Sequence, residues 1–299
     1  MNAPQRAGLL VAVIGASVLL TACTWRREEP PPVAAPGFAV RQERVALGSP
    51  VEITYRFVVA PDAPPFSEDY RVFVHFLDSD DELMWTDDHN PPKPTTQWKR
   101  GETVEYTRMM FVPVYPYLGT ASVEMGLYSA ASSTRLPLSG DDHGQRSYRV
   151  AKLELLPQTE NVFVIFREGW HGVETAEENA AVEWQWTKRD ATLAVRNPKR
   201  EVVLYLHLDS PAGVFEEPRQ VQVTLGAQAL DTFTIHPGEE LIRRIPITAE
   251  ALGSADMVDI GIHVDKTFVP AVVSGGKNTD VRDLGVRVFH AFVEPRGTP

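Results

Sequence analysis

Alternation with a period of two dominates the chain from Phe38 onward. Val51, Ile53, Tyr55, Phe57 and Val59 fall on one side of an extended segment, and Glu52, Thr54 and Arg56 fall on the other. That is the pattern of a strand with one face in a core and one in solvent. Further strands are expected over 70–77, 103–112, 120–129 and 147–155, separated by turn clusters such as Asp78-Ser79-Asp80-Asp81 and Ser139-Gly140-Asp141-Asp142. Long proline-bearing connections occupy 60–67 and 90–96. No segment sustains a 3.6-residue apolar stripe beyond about two turns, and short strands at this spacing predict a sandwich of Greek-key type.

The pattern restarts near Pro157. Strands are expected over 162–166, 182–187, 191–195, 202–208, 220–225, 229–235, 241–247, 257–264 and 284–293, with a tight hairpin at Gly226-Ala227-Gln228. One helical turn fits Thr248 to Leu252, capped by Thr248 and terminated by Gly253. The expected fold is all-β: two consecutive antiparallel β-sandwich domains, immunoglobulin-like or jelly-roll-like, over 38–156 and 157–299. Ahead of them, Glu28-Glu29-Pro30-Pro31-Pro32-Val33-Ala34-Ala35-Pro36-Gly37 is too rich in proline for a helix or a central strand. Residues 23–37 are therefore expected to be a semi-rigid spacer.

Cys23 is the only cysteine. It closes Leu20-Thr21-Ala22-Cys23 directly after the apolar run Ala7 to Leu20. This resembles the lipobox of bacterial lipoproteins, and the resemblance implies a signal peptide over 1–22 and a diacylglyceryl group on the Cys23 thiol, so that the chain is anchored to a membrane without spanning it. The apolar run has signal-peptide length and falls short of the roughly 20 residues that a spanning helix needs. Thr24 stands where an inner-membrane retention signal would have Asp, which implies an outer membrane with the body facing the periplasm.

With no second cysteine there is no disulfide, cysteine nucleophile or zinc ribbon, and stability has to come from apolar cores. The formal net charge of −11 excludes nucleic acid as an expected partner, since that binding rests on phosphate neutralisation by Lys and Arg.

Catalytic motifs are missing. There is no G-x-S-x-G elbow and no H-E-x-x-H pair, and Ser274-Gly275-Gly276-Lys277-Asn278 departs from a phosphate loop at both ends. Asp78, Asp80, Asp81 and Glu82 offer oxygen ligands to calcium but lack the EF-hand glycine and are expected to form a turn. Asp87-Asp88-His89-Asn90 is expected to be a solvated loop, and His75, on an apolar strand, a hydrogen-bonded core residue. Glu174, Glu177 and Glu178 would suit glycoside hydrolysis only if two met in one cleft. No catalytic residue, metal or cofactor is assigned.

Val72-Phe73-Val74-His75-Phe76-Leu77-Asp78, Trp98-Lys99-Arg100-Gly101-Glu102, Val123-Glu124-Met125-Gly126-Leu127-Tyr128 and Arg135-Leu136-Pro137 are similar to a β-sandwich module attached to polytopic bacterial membrane glycosyltransferases. Thr267-Phe268-Val269-Pro270 and Arg282-Asp283-Leu284-Gly285-Val286-Arg287-Val288 resemble its partner module. The resemblance implies an extracytoplasmic accessory protein near glycans or glycolipids and lends no catalytic residue, since the spanning helices of those enzymes are missing.

Trp85, Trp98, Trp170, Trp184 and Trp186 could stack on sugar rings. Trp184 and Trp186 share a strand face and are expected in a core, which leaves Trp98 and Trp170 as the candidate ligand-binding residues. The expected function is non-catalytic binding of an envelope glycan or glycolipid. The alternatives are an adaptor for an envelope protein partner and a glycan-active hydrolase.

Overall fold

A computed structural model describes residues 30–158, 162–177 and 182–296. The signal-like segment and Cys23 lie outside the described residues, as does Glu178. Within them the chain is all-β, with four sheets forming two β-sandwiches.

The first sandwich is built from β1 (Ala34–Val40), β2 (Arg44–Ala46), β3 (Pro50–Val59), β4 (Arg71–Leu77), β5 (Leu83–Thr86), β6 (Thr103–Phe111), β7 (Gly119–Tyr128), β8 (Asp141–Asp142) and β9 (Tyr148–Leu156). One sheet has the order β1-β3-β6, and the other runs β2-β9-β7-β4-β5 with β8 paired to β9. The chain changes sheet between β1 and β2, and β2 then runs parallel to β9. This is an immunoglobulin-like arrangement. The alternation on β3 does what the sequence requires of it: Ile53, Tyr55 and Phe57 are fully buried between the sheets.

The second sandwich contains β10 (Val164–Phe166), β11 (Glu174–Thr175), β12 (Glu183–Trp186), β13 (Asp190–Arg196), β14 (Val202–Asp209), β15 (Arg219–Leu225), β16 (Gln228–Ile235), β17 (Glu240–Ile247), β18 (Met257–Val264) and β19 (Arg287–Pro295). Its sheets have the orders β10-β13-β18-β15-β16 and β11-β12-β19-β14-β17. Strands β12 to β19 are distributed between the two sheets as in a jelly roll. The hairpin between β15 and β16 turns through Gly226 at φ 58°, a conformation that favours glycine. Helix α1 (Ala249–Leu252) is capped by Thr248, whose side chain accepts from the Ala251 amide, and ends at Gly253.

Two expectations are corrected here. Ala34 to Gly37 are not spacer: they pair with Arg56 to Val59 as the first half of β1. Pro36 is tolerated there because β1 is an edge strand. A second short helix, α2 (Pro270–Val273), was not expected; Pro270 opens it at a position where the missing amide costs nothing.

Two of the four resembling motifs of the first sandwich, Val72 to Asp78 and Val123 to Tyr128, lie on the adjacent strands β4 and β7, and are packing residues. A Cβ on Gly126 would lie 2.5 Å from the Phe73 ring, so the glycine in Val123 to Tyr128 makes room for the phenylalanine in Val72 to Asp78. The Arg135 guanidinium covers that ring at 4.1 Å.

Candidate functional site: the cleft between the sandwiches

Strand β14 is buried almost throughout, with Val202 to Leu206 at 6% exposure or less. Val202, Leu204 and Leu206 face the core of the second sandwich. Val203 and Tyr205 point the other way and, with Phe292, form an apolar cluster against Met109 and Phe111 of β6. The outer faces of the β1-β3-β6 and β11-β12-β19-β14-β17 sheets thus meet, and burying this patch removes apolar surface from water on both bodies.

Beside this contact opens a cleft of about 620 Å³, within the size range of small-ligand sites. Its second-sandwich wall holds Tyr205, Arg244, Phe292, Glu294 and Arg296, and its first-sandwich wall holds Arg41, Arg44 and Glu52. Sheet register explains the convergence. Tyr205 lies directly opposite Arg244 on β17 and Phe292 on β19, so these three side chains share one face. The Tyr205 hydroxyl donates to Glu294 Oε2 at 3.0 Å. Desolvation and the Glu294 carboxylate raise the hydroxyl above its ordinary range, while hydrogen bonds from Arg244 and Arg296 pull it down.

On the other flank of the contact, Phe111 stacks on His290. His290 Nδ1 lies 3.2 Å from His207 Nδ1, and His207 Nε2 lies 2.7 Å from Glu240 Oε1. The same sheet face continues to Arg287, which pairs with Asp209 through both carboxylate oxygens and lies over the rings of Trp184 and Phe289 at 5.1 and 5.5 Å.

The indoles singled out in the sequence are placed elsewhere. Trp98 is 6% exposed. Its ring packs on Phe57 and Phe66 and its Nε1 donates to the Lys93 carbonyl at 2.9 Å, so it anchors a turn and has no free face for a sugar. Trp170 is half-buried, edge-on to Phe166, and donates from Nε1 to the Thr192 carbonyl at 2.8 Å. The two lie in different sandwiches, pack on different cores and do not converge. Trp186 is buried against Phe268, and Trp85 is stacked on Phe76.

Asp87 and His89 are not solvated, contrary to expectation. Asp87 accepts from Tyr55 Oη at 2.8 Å and from Arg108 through Nε and Nη2 at 3.1 and 2.9 Å. His89 Nδ1 lies 2.7 Å from the Asp87 carbonyl and Nε2 lies 2.7 Å from Tyr106 Oη. A carbonyl only accepts, so Nδ1 carries the proton and Nε2 accepts from the tyrosine. Burial lowers the His89 pKa and raises those of Tyr55 and Tyr106, keeping all three neutral. The Asp and the His are sealed by Tyr55, Tyr106 and Arg108, and the network ties β3 and β6 to the segment after β5.

His75 is half-buried and rests on Phe73 at 4.9 Å, outside the core cluster. Asp78 Oδ1 accepts from the Asp80 and Glu82 amides and Asp81 pairs with Arg149, so that acidic run folds as a turn. Glu174 pairs with Arg282 at 2.6 Å. Among the described residues no group of three or more His, Cys, Asp or Glu could hold a metal ion.

Sequence reading missed the cleft arginines, of which Arg44 and Arg244 look like ordinary solvent-facing strand residues, and Arg219. The latter is completely buried, donates to Gly285 O at 2.9 Å and Ser210 Oγ at 3.0 Å, and lies over Phe215 at 4.4 Å. Desolvation brings it down to about 10.

No protein family matches the chain, and no curated protein does. Among solved structures, the tandem CBM22 domains of Paenibacillus barcinonensis Xyn10C match 84% of this chain and 80% of theirs, at 10% identity and a TM-score of 0.27. The C-terminal CBM6 of a Zobellia galactanivorans laminarinase matches 45% of this chain and 99% of its own, at 10% identity and a TM-score of 0.26. A GH115 4-O-methyl-α-glucuronidase matches 50% of this chain at 12% identity and a TM-score of 0.33, with only 19% of its own length covered. All three TM-scores lie well below 0.5, and the β-sandwich architecture is read from the sheets themselves.

Proposed function

We propose that this protein is a lipid-anchored envelope lipoprotein whose two sandwiches form a non-catalytic binding module, with a glycan or glycolipid held in the cleft between them. The observation that carries this reading is the cleft itself. It combines a tyrosine and a phenylalanine with several hydrogen-bonding side chains in about 620 Å³, the mixture of apolar surface and fixed polar groups that a small-ligand site uses. Of the two glutamates that line it, Glu294 accepts from Tyr205 and Glu52 is exposed, while Arg44 on the first-sandwich wall pairs with Glu154 at 3.2 Å. The lipobox at Leu20 to Cys23 supports the anchor, and its lack of Asp at residue 24 supports an outer-membrane location facing the periplasm.

Calorimetric titration of the full-length chain in detergent with envelope oligosaccharides tests the reading. Binding in the micromolar to millimolar range, lost on Tyr205→Ala, is expected. No binding by any saccharide at about 10 mM, which corresponds to less than about 3 kcal/mol of binding free energy, would end it. The adaptor reading then takes its place, favoured by the exposed valines Val272, Val273 and Val281, which the bond from Ala271 N to Asp280 O brings to one loop.

A further inference from the structure

We infer that the ligand of this cleft is anionic: a saccharide carrying a carboxylate or phosphate group that is gripped by arginines from both sandwiches. The inference rests on the cleft being the binding site and adds the chemical class of what binds.

Its basis is a contrast between arginines on neighbouring positions. Arg243 holds Asp231 with two hydrogen bonds, at 2.6 and 3.1 Å. Arg282 holds Asp280 and Glu174, and Arg287 holds Asp209. Arg244 follows Arg243 in β17 and therefore points to the opposite face, into the cleft. There it and Arg296 line the cleft beside Tyr205, and neither makes an ion pair with a carboxylate of the described residues. Across the cleft, Arg41 makes no hydrogen bond or ion pair with any described residue, and Arg44 has only the exposed Glu154 pair.

Four arginines and two glutamates line the cleft, in a chain with 40 acidic and 29 basic residues. Acidic partners are abundant in the chain as a whole, yet these guanidinium groups are left largely free. Each is planar and presents paired N–H donors that match a carboxylate or phosphate. Because Arg41 and Arg44 belong to the first sandwich and Arg244 and Arg296 to the second, an anion seated here would bridge the two bodies. The Phe292 ring and the Met109 side chain supply apolar surface for the sugar that carries it.

The test compares three probes on the full-length chain in detergent: a tetrasaccharide containing glucuronic acid, its carboxyl-reduced neutral counterpart, and inorganic phosphate. The acidic sugar is expected to bind at least about tenfold more tightly than the neutral one. Raising salt from 50 to 500 mM should weaken it several-fold, because the screening length falls from about 14 to about 4 Å over that range. Arg244→Gln together with Arg296→Gln should cost a further tenfold or more while leaving the melting temperature near that of the parent. Equal binding of acidic and neutral sugars, unaffected by the arginine changes, overturns the anionic class and leaves the glycan reading standing. Arginine-dependent phosphate binding with no saccharide binding supports the anion site and ends the glycan reading. Silence from all three probes overturns both.

Discussion

The imidazole of His290 lies flat on the ring of Phe111, with centroids 4.6 Å apart and planes 18° apart, and this stacked pair joins the two sandwiches beside the cluster of Val203, Tyr205 and Phe292. Behind it, His290 and His207 face each other through their Nδ1 atoms at 3.2 Å. Such a pair accommodates one proton between the two nitrogens and not two.

This arrangement makes the junction acid-sensitive. Desolvation, and then the charge of His207, bring His290 from 6.5 down to about 4. A folded pKa below the unfolded one means that the stability tied to neutral His290 is fully present above about pH 6.5 and is lost as the pH falls through about 4. Glu240, held low by its hydrogen bond to His207 and facing Arg287 and Arg108, stays ionised over most of that window. Melting temperatures measured from pH 7 to pH 4 should fall less steeply for His290→Gln than for the parent. Desolvation also lowers His75 and His89, so the slope should flatten without vanishing. An identical slope in the variant would locate the sensitivity elsewhere.

Phe111→Ala removes the stack on His290 and the edge contact with Phe292. Aromatic pairs of this kind contribute about 1 kcal/mol beyond the area they bury. The loss should fall on the coupling between the sandwiches rather than on either core, so calorimetry should resolve two unfolding transitions where the parent has fewer or closer ones. A thermogram that only shifts as a whole would show that Phe111 stabilises one body and not the junction.

Asp87→Ala strips a buried acceptor from both Tyr55 and Arg108. Leaving a buried donor unpaired costs about 1–3 kcal/mol, more for a charged one; with Arg108 partly exposed, a loss of roughly 3 kcal/mol is expected in urea denaturation. Tyr55→Phe, which removes only one donor to Asp87, should cost about 1 kcal/mol. The double variant should lose less than the sum. Additive losses would mean that the three groups are independent.

Cys23→Ala tests the anchor. Acyl labelling should disappear and the body should leave the membrane fraction, since two acyl chains hold a protein where none does not. If the variant stays membrane-bound after a high-salt wash, the apolar run Ala7 to Leu20 is acting as an uncleaved anchor instead.

Strands were the most legible part of the sequence. Met257 to Val264 was expected as a strand and forms one with those limits, and the turn at Thr248 to Gly253 is capped as its residues require. Both signals are local, a period of two and a hydroxyl followed by a glycine, and need no knowledge of what packs above them. The tryptophans were not legible in this way. Trp98 and Trp170 have the same composition of neighbours whether an indole faces solvent or a core, and only the positions of Phe57, Phe66 and Phe166 decide which.

Backbone pattern and chain chemistry were therefore determined by the sequence alone: an all-β chain, built as two sandwiches, with no disulfide available to either. The meeting of the sandwiches was decided by tertiary structure. Val202 to Leu206 reads as a continuous apolar run, which says that both faces of β14 are covered but not by what. The cover on one side is its own core, and on the other it is Met109 and Phe111, about 100 residues away in the chain. Arg244 next to Arg243, and Tyr205 between Leu204 and Leu206, are likewise ordinary alternating positions until the second body arrives. A site made where two folded surfaces meet is encoded by residues distant in sequence, and its charge and shape exist only once both surfaces are built.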